Sequence, residues 1–331
     1  MTATRVGLIV TGEAEALGFA VALQRLWPVD VATFEVLRNH EDEMRHKYEA
    51  FTTSKVSIET VSALRAKIEA VAGTRAARVD AHIDRLVQGV FFHCFPLKRR
   101  GAMDYVVVID DLELVNRGNE RAVLDVVRAA VERAAALGKW SDSVRQDVRE
   151  RASFHLLDPM LEAYFFASPS SLTPIASSLG RVIPHPQLVQ GRSCERFEVS
   201  TSDAPFFATP GECPRFRKSE DRKCPWRATD GQSLAEHPKK YLQYLCRAGA
   251  PNGFCTDYRE TQEGATALRV LDWAAVFARG APYLHALIED LEAMLGPPPS
   301  GSLVPVGEAV ALTSLASREQ RPELDRVLRN V

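Results

Sequence analysis

Acidic side chains stand at three places where an apolar run has just ended. Glu13 and Glu15 follow "RVGLIVTG" (5–12), Asp110, Asp111 and Glu113 close or follow "YVVVID" (105–110), and Glu162 follows "SFHLLDPML" (153–161). Carboxylates that converge repel one another unless a cation lies among them. An all-oxygen donor set suits a hard ion such as Mg2+ or Mn2+. A metal held this way binds phosphate and stabilises charge on the attacking and leaving oxygens of a phosphoryl displacement. Any one acid after a buried strand is more often a helix cap or turn former, so the argument rests on several strand ends carrying acids together.

Whether those acids meet depends on the elements that carry them. "RVGLIV" (5–10) is a short apolar run and predicts a buried strand. "EALGFAVALQRLW" (15–27) has apolar residues at 16, 19, 20, 23, 26 and 27, the spacing of a helix. "VDVATFEVLR" (29–38) alternates as a second strand, completing a β-α-β opening. "YVVVID" is continuous, as expected of a strand covered on both faces. Residues 39–55 read as loop, 57–92 as helix with a break at Gly73, and 119–138 as an amphipathic helix with Asn119 as cap and Gly138 as stop. "ASFHLLDPMLEAYFFAS" (152–168) predicts a strand turning into a helix after Pro159. Further helices are predicted at 236–249, near 264–279 and at 281–295, with 169–235 irregular. In a parallel α/β sheet the strand C-termini share one edge, where ligands bind. Acids about a hundred residues apart can therefore meet there.

The net charge of −2 provides no global field toward nucleic acid or an anionic membrane, so any such patch must be local. No apolar run approaches the roughly 18 residues of a spanning helix. The start of the chain reads as a strand rather than a signal or transit peptide, which leads to the expectation of a cytoplasmic protein with reduced thiols. Five of the six cysteines lie after residue 190. Zinc at Cys213, Cys224, Cys246 and Cys255 is disfavoured, because the intervening 10, 21 and 8 residues contain no tight Cys-x2–4-Cys knuckle; buried thiols and surface cysteines are the plainer reading. The stretch 210–227 carries six Lys/Arg against three acids, interleaved with Phe216 and Trp226. That pattern suits either a solvated loop or a nucleic-acid track on which bases stack. "PLKRRG" (96–101) reads the same way.

Four segments, "LIVTGEAEALGFAVAL", "YVVVIDDLE", "LLDPMLEAYFFAS" and "HPKKYLQYL", occur in this order. In that order they resemble the TOPRIM (topoisomerase–primase) fold. The resemblance is to a group of small standalone bacterial TOPRIM-like proteins related to the TOPRIM domain of OLD-family nucleases and often linked to phage defence. It covers about 1–40, 100–168 and 236–295. It implies a Rossmann-like α/β core with a largely parallel sheet over 1–168, an irregular Cys/basic insertion over 169–235, and a helical part over 236–331 packing on the core. Carried over onto this chain, Gly12 is the turn glycine and Glu15 the second Glu of the first motif. Asp110, Asp111 and Glu113 cover the acidic cluster, Glu162 is the helix Glu, and Lys239 is the Pro-Lys lysine. The resemblance then implies Glu15, Asp110, Asp111 and Glu113 as Mg2+ or Mn2+ ligands, with Glu162 and Lys239 completing the catalytic set.

Thr11 stands where that family has its first Glu, which is implicated in proton transfer or metal binding. Threonine cannot act as a general base near neutral pH. Either Glu13 substitutes from further on, or the site is weakened or inactive. Lys239 lies in the first turn of its helix, where the dipole disfavours a cation, so an anionic neighbour is expected. No tyrosine is placed as a strand-passage nucleophile, which favours hydrolysis. The chain has no G-x-G-x-x-G or P-loop after its first strand, which argues against a nucleotide-binding domain. Two functions follow as expectations: a metal-dependent nuclease acting on nucleic acid in phage defence, or a degenerate subunit that binds nucleic acid or a protein partner such as an ATPase.

Overall fold

A computed structural model of the chain describes residues 2–39, 45, 47–53, 55–56, 62, 75–95, 102–138, 140–180, 182–207, 233–248 and 258–303. The basic stretches 96–101 and 210–227, Cys213, Cys224 and Cys255 lie outside these residues. Four strands form one sheet: β1 (Thr4–Val10), β2 (Ala32–Val36), β3 (Tyr105–Asp111) and β4 (Ala152–Leu157). Their order is β2-β1-β3-β4 and every pairing is parallel. This is an α/β, Rossmann-like arrangement. The chain passes from β1 to one side for β2, then crosses back to lay β3 on the other side, so β1 and β3 flank a topological switch point.

Helices cover both faces, which is why β1 and β3 are apolar without alternation. Val6, Leu8 and Val10 of β1 join Val107 and Ile109 of β3 on one face. That face is covered by α1 (Glu13–Gln24) and by the helices that close the described chain, α9 (Ala265–Arg269), α10 (Trp273–Ala278) and α11 (Pro282–Leu295). Ile9, Val106 and Val108 point the other way, against α2 (Arg75–Cys94), α3 (Glu120–Leu137) and α4 (Asp142–Arg151). The C-terminal helices thus complete the core under α1.

Boundaries move where local signals compete with packing. The helix expected from residue 57 is described from Arg75, and the helix expected near 264–279 is divided: a π-helical turn (Glu260–Gly264) leads into α9, and α10 starts anew with the Asp272 side chain accepting from Ala275 N at 3.1 Å. α4 follows Ser141, whose hydroxyl accepts from Val144 N, and was not expected, because its exposed, highly charged sequence buries only Val148. The Ser/Pro-rich start of the 169–235 segment is helical, α6 (Pro169–Ser178): Pro169 suits a first helical turn, Ile175 is buried, and Ser171 Oγ donates to Ala267 O at 3.1 Å. Short helical turns at α5 (Glu162–Phe165) and α7 (Ala204–Phe207) and the longer α8 (Pro238–Ala248) complete the elements used below. Among the described residues no helix is long and apolar enough to cross a membrane.

Leu8 lies on a strand with partners on both sides and is fully buried. Leu8→Ala is expected to lower the unfolding free energy by about 2–5 kcal/mol in urea denaturation. Val21→Ala, on the exposed side of α1, is expected to change it by no more than about 0.5 kcal/mol.

Candidate functional site

The C-terminal edge of the sheet opens into a cavity of about 200 Å3 lined by Gly12, Ala14, Glu15, Asp111, Glu113, Met160, Glu162, His237, Lys239, Lys240 and Glu260. A larger groove of about 950 Å3 lies elsewhere, between α6 and residues 182–190, but its walls are mostly apolar. The smaller cavity holds the convergent acids, so the chemistry points there.

β1 delivers Glu15 through a tight turn. Gly12 precedes α1 in an extended conformation, and Glu15 sits in the helix's first turn. A Cβ at residue 12 would collide with the Glu15 carboxylate, which folds back over the turn. The helix N-terminus favours the negative charge there, against the burial that opposes it.

β3 delivers two acids, and the strand period of two decides which. Asp111 follows Val107 and Ile109 on the α1 face; Asp110 follows Val106 and Val108 on the opposite face. Glu113 lies two residues beyond Asp111 and lines the same cavity. Among the described residues it is also the one non-glycine with positive φ, at 62°. A strained backbone of this kind persists only where its surroundings hold it. Here Glu113 N donates to Pro159 O at 2.8 Å and Leu112 N to Leu157 O at 2.8 Å, continuing the β3–β4 pairing past the strand ends. The same continuation lays Glu162 beside Asp111, whose Oδ1 accepts from Leu161 N at 3.1 Å.

Asp110 is not brought to the cavity. Its Oδ1 accepts from the Thr11 hydroxyl at 2.5 Å and its Oδ2 from the Thr52 hydroxyl at 3.3 Å. Glu13 is not brought there either: it is partly exposed and pairs with Lys47 at 3.0 Å. Gly12, Glu15, Asp111, Glu113, Glu162 and Lys239 do share the cavity. Cys246, from the wide cysteine set, is buried in the core.

Two charged cavity residues, Glu260 and Lys240, escaped the sequence reading, in which His237 stands out only as a neighbour of the cysteine set. Glu260, from the π-helical turn, forms an ion pair with Lys239, which supplies the anionic neighbour expected at the first turn of α8. Lys240 and His237 flank it. Burial, then the charges of Lys240 and Lys239, pushes His237 down to about 3, so the imidazole is neutral. Tyr258, just behind the wall, donates its hydroxyl to Glu162 Oε1 at 3.0 Å. A glutamate and a tyrosine in a polar segment carry no periodic signal that would have singled them out.

The electrostatics are those of crowded acids. Burial, then the charge of Glu162, pushes Glu15 up to about 8. Burial, then Glu15 and Glu113, holds Asp111 well above the carboxylate range. Glu113 is pushed up to about 7 by burial, with Lys239 opposing and Glu162 and Glu260 assisting. Glu162 is raised by burial against the pull of Lys239. Burial works against the Lys239 ammonium, but Glu162 and Glu260 outweigh it and hold the proton more tightly than usual. Raised acids alone do not mark a site. Glu195 is pushed to about 8 by burial and Asp158, yet it caps α11, accepting from Tyr283 N at 2.9 Å and Leu284 N at 3.2 Å.

Five carboxylates against two lysines at one cavity form a donor set that fits a hard divalent cation in its chemistry. Among the described residues, no three His, Cys, Asp or Glu side chains are drawn together closely enough to hold an ion as they stand. Comparison of the chain with protein-family models, with curated proteins and with solved structures finds no match.

The proton affinities set a pH dependence. Glu15 rises from 4.5 to about 8 on folding, so the folded chain binds this proton more tightly than the unfolded chain. The corresponding stability is complete below about pH 4.5 and is lost as pH rises through about 8. Glu15→Gln, which keeps the shape without the charge, is therefore expected to melt several degrees above wild type at pH 8.5 in chelator. The two are expected to converge at pH 4.5. Thermal unfolding followed by circular dichroism at the two pH values tests this; equal melting of the two proteins at pH 8.5 would contradict it.

Proposed function

We propose that the chain is a divalent-cation-dependent phosphodiester hydrolase of TOPRIM type acting on nucleic acid. The observation that carries this reading is the convergence of Glu15, Asp111, Glu113 and Glu162 beside Lys239 at the sheet's C-terminal edge. These four carboxylates are the residues that would hold Mg2+ or Mn2+. When bound, the ion would supply positive charge to a scissile phosphate. Lys239 is the group suited to a non-bridging phosphate oxygen, which would take the place of Glu260 on its ammonium. Glu113 is pushed up to about 7 and Glu15 to about 8 in the metal-free chain, so both would give up a proton as the cation binds near neutral pH. The ordered set of four TOPRIM-like segments supports the nucleic-acid substrate and the phage-defence setting. The basic, aromatic stretch 210–227 supports a nucleic-acid contact.

A second reading, a catalytically degenerate subunit that binds nucleic acid or a protein partner such as an ATPase, is favoured by one observation. The acid missing at position 11 is not replaced from nearby: the Thr11 hydroxyl is committed to Asp110, and Glu13 is turned out to Lys47.

Incubation with single- and double-stranded DNA and RNA, in Mg2+ or Mn2+, separates the two. The hydrolase reading expects cleavage by wild type and by Glu13→Gln. It expects a loss of roughly 100-fold or more in Asp111→Asn and Glu113→Gln, the scale of removing one group that stabilises transition-state charge. Nucleic-acid binding with no cleavage in either metal would establish the degenerate reading.

A further inference from the structure

Glu162 reaches the cavity from a helix of one turn, Glu162–Phe165, which by itself fixes a carboxylate poorly. Its hydrogen-bonding partner comes from elsewhere in the chain. Tyr258 is buried in the core beneath α1 and donates Oη–H to Glu162 Oε1 at 3.0 Å. Tyr258 in turn sits at the head of the π-helical turn Glu260–Gly264, a rare geometry that concentrates at functional sites. That turn is anchored on the side away from the cavity. The fully buried Glu263 carboxylate accepts from Arg259 N at 3.0 Å, Arg259 Nε at 3.1 Å and Ser178 Oγ of α6 at 2.8 Å. Gly264 closes the turn, and a Cβ there would collide with Tyr258 Oη while lying 3.2 Å from Ala14 Cβ and from Tyr258 Cζ. The obstruction is therefore chiefly at the hydroxyl.

We propose that Tyr258 is a positioning residue for Glu162, aiming its carboxylate into the cavity, and that residue 264 is glycine because this hydroxyl must pass against its backbone. The inference rests on the cation-site reading above. Groups that hydrogen-bond a metal-binding carboxylate from behind set its orientation, and their loss costs about 10–100-fold in metal affinity. Tyr258 and Glu260 would then make the 258–264 segment a third wall of the site, alongside the β1–α1 turn and the end of β3.

Mn2+ titration of the full chain, followed by electron paramagnetic resonance of the free ion, tests the assignment. Tyr258→Phe removes only the hydroxyl and is expected to raise the Mn2+ dissociation constant about 10-fold, with the chelator-treated protein melting within a few degrees of wild type. Gly264→Ala is favourable on helix propensity alone, yet it is expected to weaken Mn2+ binding to a similar degree. In the Tyr258→Phe background, where no Oη remains to be struck, adding Gly264→Ala is expected to change Mn2+ affinity by less than about twofold. Wild-type affinity in Tyr258→Phe, or full additivity in the double variant, overturns the positioning role and leaves the cation reading standing. A wild-type chain that binds no Mn2+ overturns the cation reading and this inference with it.

Discussion

Carboxylates gathered at one edge of a buried sheet repel one another, and much of this fold can be understood as holding them there regardless. Burial and mutual charge raise Glu15, Asp111, Glu113 and Glu162 together. Such a cluster costs stability at neutral pH, and an apolar substitute would pack with less strain. The opposing contribution comes from the sheet, where β1 and β3 bury nearly every side chain on two faces. Positive charge is rationed to match. Lys239 and Lys240 reach the cavity, and Lys239 is already shared between Glu260 and the acids.

Strand geometry then sorts acids that are adjacent in sequence into different roles. Asp110 and Asp111 are neighbours, yet the pleat sends one to each face. Asp111 meets Glu15, Glu113 and Glu162 at the cavity. Asp110 is sealed by the hydroxyls of Thr11 and Thr52, and burial pushes it up to about 7. Thr11 therefore has a structural use in this chain: it supplies a donor to a buried carboxyl that would otherwise be incompletely satisfied. The pair spaced for one face of a strand is Asp111 with Glu113, two residues apart.

Much of this was legible in the sequence because the determining signals are local. The continuous apolar runs of β1 and β3 identify buried strands, and acids just beyond them must fall at the same edge if the sheet is parallel. The facing of Asp110 was not legible, since the phase of a fully buried strand leaves no polar alternation to read. Glu260 and Tyr258 were not legible for a different reason. They meet Lys239 and Glu162 only after α9 to α11 fold back under α1, and Tyr258 lies 96 residues from its partner Glu162. The helix at 169–178 was hidden because serine and proline read as loop, while its stability comes from tertiary contacts to Ala267 and the core.

The central claim is that Glu15, Asp111, Glu113 and Glu162 constitute one cation site. Anomalous diffraction from crystals of the wild-type chain grown or soaked with Mn2+ tests it most directly. The expected result is an anomalous peak in the cavity, with carboxylate oxygens of at least three of these residues at about 2.0–2.3 Å. A peak bound instead at Asp110, or an empty cavity in crystals that bind Mn2+ elsewhere, would contradict it.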